Sequence, residues 1–182
     1  GRIWSMAQVP DGAPIVKTVA FGGGRFVAAG DEGSMLWSND GINWHSNTVS
    51  GSPDFRQLAW NGNAWLATAR NPSNEWLDLV WTSTDGISWV PRGSIGVNGE
   101  RIIGHQGVFY FMTRWAGIKR SVDNGLTWQN AVLPGETRWS VRQADIANDG
   151  TMVAIGIAQD EAGEPRVPLV SVDGINWHRA TS

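Results

Sequence analysis

SNDGINW, residues 38–44, returns three times along this chain with small changes: STDGISW at 83–89, SVDNGLTW at 121–128 and SVDGINW at 171–177. The closing tryptophans, Trp44, Trp89, Trp128 and Trp177, stand 45, 39 and 49 residues apart. A catalytic constellation is needed once, whereas a segment repeated at near-regular spacing serves construction. Periods of about 40–50 residues, filled by short apolar runs between glycine-rich turns, are those of propeller blades.

Each repeat divides into four short strands. The first reads 17–21, 25–29, 34–38 and 42–48, and the second 56–60, 64–69, 79–83 and 87–90. The third reads 100–103, 108–113, 117–121 and 126–132, and the fourth 142–147, 151–157, 166–171 and 175–180. No segment carries a helical period. The expected fold is all-β: one propeller domain over 1–182, with four-stranded antiparallel blades near 15–48, 54–90, 99–132 and 137–180. Residues 3–9 resemble the fourth strand of a preceding blade, since Ile3-Trp4-Ser5 compares with Ile42-Asn43-Trp44-His45-Ser46. The count is then four blades plus one extra outer strand. Either the four blades close on themselves with a strand to spare, or another chain or a longer parent completes the ring, because unpaired strand edges are avoided.

The repeated segment has a physical reason. Asp-Gly between two strands is a hairpin signal, and glycine accepts the positive φ that other residues resist. The aspartate accepts hydrogen bonds from backbone N–H groups of its own turn, and the serine hydroxyl adds another. The tryptophan folds back over the turn or into the gap between blades. A turn pinned in this way fixes strand register. Asp40, Asp85, Asp123 and Asp173, with Trp44, Trp89, Trp128 and Trp177, are therefore read as structural.

Composition excludes several classes. With 14 basic against 17 acidic residues, a net charge of -3 gives no basic excess for nucleic acid. There is no cysteine, hence neither disulfide nor thiolate chemistry. Apolar runs such as 108–112 are too short to cross a bilayer, and no signal peptide is visible. The chain begins with glycine, as a processed chain or excised fragment does. The single Asn-x-Ser/Thr sequence, Asn71-Pro72-Ser73, is disqualified by its proline. Twelve Trp and 23 Gly fit a β-rich chain.

The turn segments resemble the Asp-box repeat, Ser-x-Asp-x-Gly-x-Thr-Trp, of sialidases, related glycoside hydrolases, sortilin-type receptors, photosystem assembly factors and many phage tail proteins. Residues 121–128 match it fully, while the other three are one residue shorter. The short form, with the preceding GGGRFVAAG at 22–30, looks most like phage tail and bacterial surface propellers. That resemblance implies a non-enzymatic, cell-surface-binding role, with a glycan as the expected ligand, and an extracellular or virion-surface setting. It also implies that ligands meet the face opposite the Asp-box turns.

On that face lie the first-strand entrances and the loops joining second to third strands. Two of these loops carry tryptophan with charge, Arg70 to Trp76 and Arg114-Trp115. Indoles stack on sugar rings while Arg and Glu bond hydroxyls. Arg56 and Arg142, with Lys17, recur at strand entrances and would draw acidic groups. The candidate ligand-binding residues are thus Trp76, Trp115, Arg70, Glu75, Arg114, Arg56 and Arg142. The expected partner is a cell-surface glycan or protein receptor, with no nucleic acid and no membrane insertion. A homo-oligomer or a longer parent chain is the expected means of completing the ring.

Catalytic and metal readings find less support. A sialidase-like glycoside hydrolase would need a tyrosine nucleophile, and the single tyrosine, Tyr110, falls on an inward strand position. No two acids are placed by sequence on one face as glycosidases require, although Glu75 and Asp78 are the pair to test. His45 and His178 occupy equivalent positions of different blades and diverge, His105 sits in a turn, and no metal-ligand spacing exists. The acidic loop Asp160-Glu161…Glu164 reads as solvated rather than calcium-binding. No cofactor and no metal are expected. A protein–protein assembly scaffold is the remaining alternative.

Overall fold

The structure, a computed structural model, describes residues 6–135, 138–160, 163 and 166–180. These form sixteen strands and no helix. Blade 1 is β1 (Val16–Gly22), β2 (Arg25–Gly30), β3 (Ser34–Ser38) and β4 (His45–Thr48); blade 2 is β5 (Phe55–Trp60), β6 (Trp65–Arg70), β7 (Asp78–Ser83) and β8 (Val90–Ser94). Blade 3 is β9 (Gly99–His105), β10 (Val108–Thr113), β11 (Ile118–Ser121) and β12 (Gln129–Asn130); blade 4 is β13 (Trp139–Ile146), β14 (Met152–Ala158), β15 (Arg166–Ser171) and β16 (His178–Arg179). Each blade is a four-stranded antiparallel meander in chain order. This is the β-propeller architecture that the repeat implied.

The fourth strands depart from expectation. Strands over 42–48, 87–90, 126–132 and 175–180 are instead His45–Thr48, Val90–Ser94, Gln129–Asn130 and His178–Arg179. The reason lies in the turn. Asp40 Oδ1 accepts the N–H groups of Ile42 and Asn43, both at 2.8 Å, so those N–H groups are held in the turn and do not enter the ladder with β3. Ser38 Oγ accepts the Gly41 N–H at 2.9 Å and donates to Asp40 Oδ1 at 2.9 Å. The Trp44 indole donates back to the Gly41 carbonyl at 3.1 Å. The same bonds recur around Asp85 and, apart from the indole bond, around Asp173. In the longer turn the extra residue, Asn124, takes a φ of 56°, and Asp123 holds the Thr127 N–H at 2.9 Å.

These bonds depress the carboxylates. The Asn43 N–H holds Asp40, and the Asn176 N–H holds Asp173, well below the usual carboxylate range. Burial pushes Asp85 up, but the Ser88 and Ile87 N–H groups outweigh it and leave its pKa at about 2. A carboxyl lowered by folding stabilises the fold above its unfolded pKa of about 3.9, and that stability is lost as pH falls through the folded value. The urea midpoint is therefore expected to fall between about pH 4 and pH 2, and to fall less in Asp85→Asn. Equal acid sensitivity in the variant would remove Asp85 from the account. Asp78, raised by burial, works in the opposite direction.

The core lies between blades. Val27, Ala29 and Met35 of blade 1 pack against Phe55, Leu58, Trp65 and Trp81 of blade 2. Leu66 and Val80 meet Ile102, Phe109 and Phe111 across the next junction, and Tyr110, Met112 and Ile118 meet Trp139, Val141, Met152 and Trp177 across the third. The first strands pack in series, β1 on β5, β5 on β9 and β9 on β13, but no such packing returns β13 to β1. Among the described residues the four blades form an open arc rather than a closed four-bladed ring.

The expected outer strand at 3–9 is not a strand where it can be seen. Residues 3–5 lie outside the described residues, and of 6–9 only Gln8 pairs, in an isolated parallel bridge to Asn43. A fourth strand needs a third strand to pair with, and among the described residues none lies beside 6–9. The bridge still marks the position. Val132, two residues beyond the blade 3 outer strand β12, makes the same parallel bridge to Asn176 of blade 4.

Candidate functional site: a basic mouth flanked by tryptophan

Strand register puts the Asp-Gly turns at one end of the arc, and the first-strand starts with the loops between second and third strands at the other. At that second end every first strand carries a bulge. The register slips between Val16 and Thr18, Phe55 and Gln57, Gly99 and Arg101, and Val141 and Gln143. The bulged residues are Lys17, Arg56, Glu100 and Arg142. A bulge leaves one residue unpaired and re-aims its side chain; Arg56, Glu100 and Arg142 line hollows at this end, while Lys17 is bound to Asp31. Three of the four are basic. The sequence marks Lys17, Arg56 and Arg142 by alignment, without the bulge that explains them.

Two adjoining hollows make up the mouth. One, of roughly 300 Å³, is lined by Arg114, Trp115, Arg138, Ser140, Arg142 and Gln159, with Ile157. The other, of roughly 230 Å³, is lined by Arg56, Trp76, Asn98, Gly99 and Glu100 and shares Arg114 and Trp115. Trp76 and Trp115 remain 65% and 57% exposed, unlike the buried Trp65, Trp139 and Trp177. They therefore contribute little to the core.

Charges at the mouth differ in how far they are committed. Arg114 binds Glu100 at 2.7 Å, and Arg138 binds Asp160 at 2.9 Å. Arg56 reaches Asp78 at 3.4 Å. Arg142 is exposed, and no carboxylate among the described residues lies within ion-pair distance of it. Two polar atoms of the first hollow are also uncommitted. Ser140 Oγ and Gln159 Oε1 are buried and make no hydrogen bond within the protein. Buried polar atoms are nearly always bonded, and Thr68 Oγ1 and Trp177 Nε1 are further exceptions away from the mouth. Neither Ser140 nor Gln159 carries a sequence signal, since both are ordinary strand-end residues until the fold turns them inward.

The remaining candidates fall elsewhere. Arg70 and Glu75 pair with each other at 3.6 Å, and Arg70 lines a separate hollow with Pro53, Asp54, Pro72 and Trp81. Asp78 is fully buried. Its Oδ2 accepts the Gly99 N–H at 2.9 Å, so it stitches blade 2 to blade 3 and cannot reach a substrate. Burial dominates its raised pKa, with Gly99 and Arg56 opposing. Tyr110 is buried between blades 3 and 4, and burial raises its pKa, so it is no nucleophile at the mouth. His45 stacks on Trp37 with centroids 4.2 Å apart. Among the described residues no three His, Asp or Glu side chains gather as a metal site would need. Glu161 and Glu164 of the acidic loop lie outside the described residues.

No protein-family model matches the chain, and no curated protein matches it. Solved structures do. YCF48 from Cyanidioschyzon merolae is similar at 16% identity and a TM-score of 0.59, over 93% of this chain and 58% of that one. YCF48 bound to D1 peptide gives 19% and 0.56, over 92% and 54%. An ancestral GH74 enzyme gives 17% and 0.57, over 91% of this chain and 25% of that one. The chain has a β-propeller fold. It spans a little over half the length of the YCF48 chains. At these identities the likeness carries the fold alone. It runs to YCF48 and to a glycoside hydrolase, which corrects the expectation of a phage tail or adhesin propeller binding a cell-surface glycan. The reason is that the short Asp-Gly turn is a device of the scaffold, and scaffolds do not fix ligands.

Proposed function

We propose that the chain is a protein-binding propeller segment whose mouth takes an acidic stretch of a partner polypeptide. The observation that carries this reading is the cluster of Arg56, Arg114 and Arg142 beside exposed Trp76 and Trp115, in a chain of net charge -3. The uncommitted Arg142 guanidinium supplies the anion contact, and the indoles supply apolar area. A propeller of similar fold, YCF48, is known bound to a peptide, which supports the reading by analogy. The turns are assigned to the Asp-box class, supported by the serine, aspartate and indole hydrogen bonds of the first two blades.

The test is fluorescence anisotropy with labelled ten-residue peptides of equal length and acidic, neutral or basic sequence. Only the acidic set is expected to bind, more weakly as salt rises. Arg142→Glu is expected to weaken that binding about tenfold or more, near 1.4 kcal/mol, with the urea midpoint unchanged. Indifference to peptide charge, or to Arg142→Glu, would sink the proposal.

A further inference from the structure

The two ends of the arc carry faces that the interior blades bury. The aligned second-strand residues Val27, Leu66 and Tyr110 each turn toward the following blade and are 0%, 0% and 3% exposed. Val153 holds that position in blade 4 and is 47% exposed. Two places along, Ala29, Thr68 and Met112 are fully buried, whereas Ile155 is 41% exposed. The leading face shows the converse. Leu58, Ile102 and Ala144 turn toward the preceding blade and are 7%, 5% and 6% exposed, whereas Val19 of blade 1 is 61% exposed. Phe21, two residues on, is also exposed, its ring tilted against Phe26 with centroids 4.6 Å apart.

The faces are complementary by the rule that builds the arc. At each internal junction the turn glycine of one blade lies on the second-strand residue of the blade before it. Gly86 lies on Val27, Gly125 on Leu66 and Gly174 on Tyr110. Val153 has no turn above it, and Gly41 has no such residue beneath it. The missing partner of each end has the chemistry of the other end.

We propose that two copies of this chain close head to tail, with blade 4 of each docked on blade 1 of the other, Val153 under the Gly41 turn and Ile155 near Val19. The interface continues the three junctions already present within one chain. Two copies make eight blades, within the usual range for propellers. The ends are different surfaces, so the contact is heterologous, and in a pair it occurs twice. Gln8 already holds over Asn43 the bridge that Val132 holds over Asn176. The segment around Gln8 therefore stands where the outer-strand end of a neighbouring blade stands at the third junction, and a chain beginning at Pro10, which leaves that place open, pairs more tightly than the longer one. The proposal is independent of what the mouth binds.

The test is analytical ultracentrifugation of the chain and of Val19→Glu and Val153→Glu. Both substitutions fall on exposed positions, and the circular dichroism and urea midpoint of each monomer check that folding is intact. The chain is expected to sediment as a pair at micromolar concentration, and each variant alone as a monomer. In an equimolar mixture one of the two junctions carries both changes and the other carries neither, so the mixture regains pairing. A single-copy mass at 100 micromolar for both the full and the trimmed chain would overturn the proposal. So would pairing that ignores both variants, a mixture that stays monomeric, or assemblies that grow beyond two copies.

Discussion

Replacing Trp65 with alanine is expected to cost about 3–5 kcal/mol, while the same change at Trp76 costs no more than about 0.5 kcal/mol. Trp65 is 1% exposed and sits in the junction of blades 1 and 2, with Trp60 at a centroid distance of 5.3 Å. Its removal opens a cavity that the surrounding strands cannot fill, because their register is pinned by the turns. Trp76 lies in the long loop before β7, where its indole meets solvent and the hollow at the mouth. Urea unfolding of the two variants measures the contrast. A loss at Trp76 comparable to that at Trp65 would make Trp76 part of the core and remove it from the proposed binding face.

Gly174→Ala is expected to destabilise by about 3 kcal/mol or more, against about 1–2 kcal/mol for Gly41→Ala. The two glycines hold the same place in equivalent turns, with φ of 66° and 73°, so the backbone cost of a side chain is shared. They differ in what lies beneath. A Cβ on Gly174 would strike the buried ring of Tyr110, whereas a Cβ on Gly41 would meet the Phe26 ring at 3.3 Å, at the open end of the arc. The difference between the variants therefore isolates packing between blades from left-handed strain. Equal losses, measured by urea denaturation, would show that the turn conformation alone requires glycine.

This pair of glycines also marks where sequence reading stops. Both occur as Asp-Gly in near-identical segments, and nothing local tells one from the other. The same limit applies at the mouth. Arg56 and Arg142 are legible as aligned strand-entrance residues, and Trp76 and Trp115 as loop tryptophans. That Arg114 spends its charge on Glu100, and that Arg142 does not, depends on a bulge and on a loop from a neighbouring strand. Arg70 and Glu75 are as eligible by sequence as the others, yet they pair with each other beside a different hollow. Ser140 and Gln159 have no local signal at all.

What the sequence determined by itself was everything carried by short-range chemistry. The four turns, their serine, aspartate and glycine roles, the meander of each blade and the inward position of Tyr110 come from residues within one repeat. Hydrogen bonds and φ preferences act over a few residues, and side chains alternate strictly along a strand. The tertiary structure alone decided how the repeats meet. Whether the arc closes, which equivalent positions are buried, and which charges at the mouth find partners are set by contacts between blades. Those contacts join residues from different repeats, far apart in the chain, and near-identical repeats say nothing about which of them stands at an end.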